Sequence, residues 1–281
     1  MGASIAQLFR LWGIHAKLDL LWFLRDTKYC VLNIVADTVS TLAAISAIFL
    51  LAERFGNIGG MDRNQILFML GYATLVDGVI QMFFSMNNVA WVSRLIGRGQ
   101  LDHRLIQPVP LWMQFLTEGF IPVSGNSGLV CGIGITAYAI SQIGLSTGIL
   151  WVLGMAASVL MSVAVIISFS YTTSCVAFYA PVAGEEIATV SVDFFGSLKT
   201  IPIGGLSMTA KTLLSTVLPI GLTAWFPANV LLGQTPMGFH QALLIVVTIV
   251  LAITATKMFR KGLKYYAKRG SIRYHDRGHR R

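Results

Sequence analysis

The chain has 281 residues, 55% of them hydrophobic and only 12% charged, with a mean hydropathy of +0.69. Soluble domains carry about 25% charged residues, so this composition excludes an ordinary soluble fold, which would have too little polar surface to cover its apolar residues. The net charge of +9 resides in residues 257–281, where ten Lys/Arg stand against Asp276 alone; a basic tail after apolar runs describes an integral membrane protein with a cytoplasmic C-terminus and leaves no need for a nucleic-acid partner.

Residues 1–30 are predicted to hold an amphipathic helix lying in the headgroup plane. Leu8, Leu11, Trp12, Leu18, Leu21 and Trp22 recur at three- and four-residue steps, with Arg10, Lys17 and Arg25 off that stripe. The segment lacks the apolar region and small-residue cleavage site of a signal peptide.

Six apolar runs follow, near residues 31–52, 66–86, 121–141, 149–179, 208–226 and 241–259. Each is long enough for the ~30 Å hydrocarbon layer. The predicted fold is therefore an all-α integral membrane protein of about six transmembrane helices with both termini cytoplasmic. It divides into the N-terminal segment 1–30, a membrane domain 31–259 with a cytoplasmic loop 87–120, and a basic tail 260–281. The cytoplasmic pieces then hold four Lys/Arg (N-terminal segment), Arg94, Arg98 and Arg104, Lys199, and the ten of the tail, against Arg54 and Arg63 outside. That is a strong positive-inside bias.

In the first and second runs lie Asp37 and Asp77. A central carboxylate costs about 2.5–3.5 kcal/mol on insertion scales, so both should face protein or water. They read either as the polar lining of a path or as interhelical hydrogen-bonding groups; Lys211 is the cation expected beside Asp37. Gly128 and Gly132 in the third run form a small-xxx-small pair suited to close helix packing. Pro219 and Pro227, with Gly233 and Pro236 after them, break the fifth run and predict a bent or re-entrant segment near the outer face. Cys30, Cys131 and Cys175 are scattered and the five histidines show no ligand spacing, so neither a disulfide frame nor a metal site is expected. Residues 205–212 differ from a phosphate-binding Gly-x-x-x-x-Gly-Lys-Thr only at Ala210, but they lead into an apolar run and lack the strand and second glycine that such a loop requires.

The most specific stretch is residues 93–110. Leu101, Leu105 and Ile106 are predicted to share one face of a short helix, with Asp102, His103 and Arg104 presented elsewhere and Pro108 ending it. Such an element suits docking of a soluble partner. The pattern Gly99, Leu101, Asp102, Leu105, Pro108 resembles the signature of ABC-2 type permeases, and residues 219–233 (PIGLTAWFPANVLLG) are similar to a second stretch of that family. The chain departs from the pattern at Gly97 and Gln107, where the family often has basic residues, and at Gln100, where it often has an acid.

The resemblance implies the transmembrane permease subunit of an ABC exporter, without enzyme activity of its own, in a plasma membrane (the inner membrane of a bacterium). ATP and Mg would be bound by separate ABC ATPase subunits, which would dock on Arg98, Gly99, Leu101, Asp102, Arg104, Leu105 and Pro108. A second permease chain, identical or related, would complete the path. The tail's charge, apart from any resemblance, suits contact with anionic lipid or with an acidic partner. Two rival readings are an ion-coupled secondary transporter using Asp37 and Asp77, disfavoured by the sparse intramembrane charge and the lack of inverted repeats, and a non-enzymatic membrane scaffold.

Overall fold

The computed structural model describes residues 5–85, 90–234 and 237–270. The first residues of the expected loop 87–120, Pro236 and the last eleven residues of the basic tail lie outside the described residues. The described chain is all-α apart from one two-residue hairpin, Asn57–Ile58 with Met61–Asp62. Among the described residues three helices are long and apolar enough to cross a membrane, over Thr27–Leu50, Arg63–Phe84 and Ile149–Phe178, and Ser127–Ile143 is a shorter apolar one.

The centre is α3 (Arg63–Phe84) packed against α7 (Ser127–Ile143). Asp62 opens α3 with a capping box: its side chain accepts from the Gln65 amide, and Gln65 Oε1 accepts from the Asp62 amide. The two helices run antiparallel and approach closely because glycines face each other. A Cβ on Gly78 would land in the Leu129 backbone, and one on Gly132 in that of Leu75. Gly128 and Gly132 thus lie in the α3 contact, with Gly78 supplying the matching gap.

Around this pair stand α1 (Ile5–Arg25), α2 (Thr27–Phe55), α8 (Ile149–Ser174, prolonged by a 3-10 turn, Cys175–Phe178) and α12 (Met237–Arg269). Most of the α2 surface is exposed, whereas much of α3 is buried.

The structure departs from the sequence reading after residue 180. The segment expected as a cytoplasmic loop carrying Lys199 forms α9 (Pro181–Leu198). Proline at the first helical position starts it, where the missing amide hydrogen is not needed. At one end a Cβ on Gly97 would meet the Pro181 carbonyl at 2.9 Å; at the other, a Cβ on Gly59 would meet the Pro202 carbonyl at 2.8 Å. Gly59 belongs to the hairpin before α3, and Gly97 follows its far end, so residues 181–205 run the length of α3.

The expected fifth run, 208–226, is correspondingly not one helix. It forms α10 (Met208–Thr216), which buries no residue, then turns, then α11 (Trp225–Leu231). Pro219 and Pro227 deny the helix two amide donors, and the Gly221 amide turns back to the Leu214 carbonyl at 2.8 Å.

Candidate functional site

The stretch singled out by its motif is built on α4 (Ala90–Gly97). Val92, Leu95 and Ile96 are buried with Phe178 and Tyr266, which fixes α4 against the end of α8 and against α12. The polar face carries Arg94 and Arg98, whose guanidinium groups reach Glu185 of α9 at 3.5 and 2.8 Å. The hydrogen bond from Arg98 to Glu185, then its charge, raises the arginine pKa further above its ordinary value. Gly99 ends the helix at φ +71°, with its amide on the Ile96 carbonyl (3.1 Å) and that of Gln100 on Leu95 (3.0 Å). This left-handed C-cap is the conformation that glycine adopts without a Cβ clash.

Next comes α5 (Leu101–Leu105). Leu101 is 0% exposed and belongs to the buried cluster under α4, whereas Leu105 is 43% and Ile106 81% exposed. The expected common face of Leu101, Leu105 and Ile106 is therefore split. Leu101 and Leu105 lie on one side of the helix but about one turn apart, roughly 5–6 Å, and the cluster ends between them. What remains outward is Leu105, Ile106 and Pro108, with Asp102, His103 and Gln107 exposed beside them.

This tip has a stiff base. Arg104 pairs with Glu118, and its guanidinium carbon sits 5.5 Å from the centre of the Trp91 ring. From α6 (Leu111–Thr117), Gln114 Nε2 donates to the carbonyls of Arg104 (2.9 Å) and Val109 (2.7 Å). Glu118 begins the connector to α7, which α1 holds from the other side. Asp19 accepts from the amides of Val123 (2.7 Å) and Ser124 (3.2 Å) and from Ser124 Oγ (2.5 Å), and Trp12 Nε1 donates to the Leu116 carbonyl at 3.2 Å. A cavity of about 410 Å³ lies beside this joint, lined by His15, Asp19, Asp37, Gln81 and Glu118 together with apolar residues such as Trp22 and Phe120.

The acids of the apolar runs are both engaged. Asp37 accepts from Gln81 Nε2 (2.8 Å) and Ser127 Oγ (3.1 Å), so the expected Lys211 is not its partner. Asp77 pairs with Lys199, whose side chain is 11% exposed. Pro219 and Pro227 are buried, and Gly233 closes the region after α11 at φ +71°, near the Leu231 carbonyl that accepts from Trp151 Nε1 at 3.0 Å.

Sequence reasoning missed Glu185, which anchors Arg94 and Arg98 of the α4 segment, and Glu118, Gln114 and Trp91, which hold the tip, and it did not pair Lys199 with Asp77. Only the first had a readable signal: Pro181 followed by Gly184-Glu185-Glu186 is a helix opening. Among the described residues no group of His, Cys, Asp and Glu is placed to hold a metal ion. The phosphate-loop look-alike follows a 3-10 turn (Ile203–Gly205) and enters α10 directly at its Ser207 cap.

Against known families, a model described as "ABC-2 family transporter protein" matches residues 38–270. No curated protein and no solved structure matches the chain.

Proposed function

Because the chain belongs to the ABC-2 family of transporter proteins, we propose that it is the membrane permease subunit of an ATP-driven exporter. Separate ATPase subunits hold ATP and Mg and dock beneath it. The observation that carries this reading is the tip 105–108: apolar and exposed, yet mounted on a base fixed by Arg104–Glu118, Gln114 and the buried Leu101. A soft loop would absorb a push; a braced one passes it on, because coupling requires a partner that contacts two states of the permease differently.

The helix order supports six crossings, by α2, α3, α7, α8, α9 and α12, with α10 and α11 as a bent segment at the outer surface. Both termini are then cytoplasmic. The charge distribution supports this arrangement: the cytoplasmic side holds Arg10, Lys17, Arg25 and Lys28, the three arginines of the docking segment, and the ten basic residues from Lys257 onward. Arg54, Arg63, Lys199 and Lys211 fall outward or within the spans. The exposed apolar length of α2 supports pairing with a second permease chain. An ion-coupled mechanism through Asp37 or Asp77 is disfavoured, because both carboxylates already have partners within the chain, Gln81 and Ser127 for Asp37 and Lys199 for Asp77.

The test is co-purification. Leu105→Asp combined with Ile106→Asp should abolish recovery of the ATPase with the permease while membrane insertion stays normal. Undiminished ATPase recovery from that variant would rule out the docking site.

A further inference from the structure

A second concavity lies on the flank of the bundle at the α4 end, between α6, α8 and α12, with a volume of about 530 Å³. Its walls are apolar and aromatic: Trp112 and Phe115 from α6, Tyr171 from α8, Phe259 from α12. Small side chains, Ala252 and Ala255, line the α12 wall and leave the space open. No Asp or Glu lines it; its one charged lining residue is Arg260. Arg260 is exposed, and among the described residues it has no carboxylate within ion-pair distance.

The position of Arg260 along α12 bears on the occupant. Up to Thr256 the helix is apolar, and from Lys257 it turns basic, with Lys257, Lys261 and Lys264 exposed around Arg260. In a membrane helix that transition marks the headgroup level, where Lys and Arg place their charge. The groove therefore has an apolar part at acyl-chain depth and a free cation at phosphate depth. The geometry points to a binding site for one anionic phospholipid, with an acyl chain between α6, α8 and α12 and the phosphate on Arg260. A protein segment would bring backbone polar groups into this apolar groove, and each costs free energy if left without a hydrogen bond.

Occupancy also bears on the segment at the α4 base. Phe115 stands between the groove and the buried cluster, its ring centre 6.4 Å from Trp91, 6.1 Å from Tyr171 and 6.0 Å from Phe259. A bound chain fills the space behind Phe115 and stiffens the support of α4. The site needs no ATPase, so its test is independent of the transport reading.

The purified full chain in a zwitterionic detergent would be titrated with phosphatidylglycerol or phosphatidylcholine of identical acyl chains and read by native mass spectrometry. The wild type should retain phosphatidylglycerol about five-fold better, the effect of one basic residue at a lipid surface. Arg260→Gln should erase that preference and leave phosphatidylcholine retention unchanged. Lys268→Gln, which removes the same charge from the same helix outside the groove, should keep it. Ala255→Trp should lose both lipids, with the milder Thr256→Leu as a second filling variant if the tryptophan disturbs folding. The proposal is overturned if the wild type shows no preference, if Arg260→Gln and Lys268→Gln behave alike, if both filling variants retain lipid normally, or if the groove variants disrupt a dimer of the chain and not lipid binding.

Discussion

Leu101 and Leu105 illustrate how residues of one type, four positions apart, take different tasks. Leu101 is sealed beneath α4, and Leu105 projects from the protein. Leu101→Ala should destabilise the permease by about 2–5 kcal/mol, the usual cost of a large-to-small change in a packed site. Leu105→Ala should change stability by less than about 0.5 kcal/mol, as surface changes do. Thermal melting of the two variants in the same detergent separates them; equal melting temperatures would mean that the cluster does not bury Leu101. The spacing of these leucines was legible in the sequence, but their burial was not, because the cluster that takes in Leu101 is completed by Phe178 and Tyr266, far along the chain. The same holds for the acids. That Asp77 needs a partner follows from insertion cost, whereas the identity of Lys199 depends on where a helix 122 residues later ends. Gly99 was readable as a turn residue, since a left-handed helix end strongly favours glycine.

Apolar length locates α2, α3, α7 and α8 close to where the runs of the sequence place them, and the prolines at 219 and 227 announce the break between α10 and α11. The element that escaped is α9. Its 18 residues include Glu185, Glu186 and Asp193, and a hydropathy window treats such charges as solvent-exposed. The structure gives Glu185 to Arg94 and Arg98 at one end, a pairing that no local pattern contains. A longer apolar run, 208–226, then took the place of α9 in the reading, although its prolines prevent a single helix. If α9 crosses the bilayer, its two ends meet opposite solutions. In a chain with Cys30, Cys131 and Cys175 replaced by alanine, Glu186→Cys should react with a membrane-impermeant maleimide only from the cytoplasmic side, and Ile201→Cys only from the outside. Labelling of both from one side would return residues 181–205 to a loop.

For the molecule as a whole, the proposed docking of an ATPase raises the question of how a push on the tip 105–108 would reach the far end of the bundle. The contacts form a short chain: the tip to Arg104, Arg104 to Glu118, and the connector from Glu118 to Ser124, which α1 grips through Asp19 and which leads into α7. Because α7 and α3 meet at Gly78 and Gly132, where a Cβ would strike the facing backbone, a displacement of the connector should move them together: a slide would bring residues with a Cβ to places that only glycine fits. Packed interfaces of this kind switch between discrete arrangements and do not deform gradually. Glu118→Gln keeps the shape of the side chain and removes its charge, so Arg104 loses its ion pair while the tip keeps its surface. That variant should still recover the ATPase, unlike the Leu105/Ile106 double variant, but it should lose the linkage between ends. The readout is Ile201→Cys: in the wild-type complex its labelling rate should change on addition of ATP and Mg, and in Glu118→Gln it should not. Exchanging the charges, Arg104→Glu with Glu118→Arg, should restore part of the response. An ATP-linked change of wild-type size in Glu118→Gln would show that the force travels by another route, with the Arg94 and Arg98 contacts to Glu185 at the base of α9 the next joint to sever.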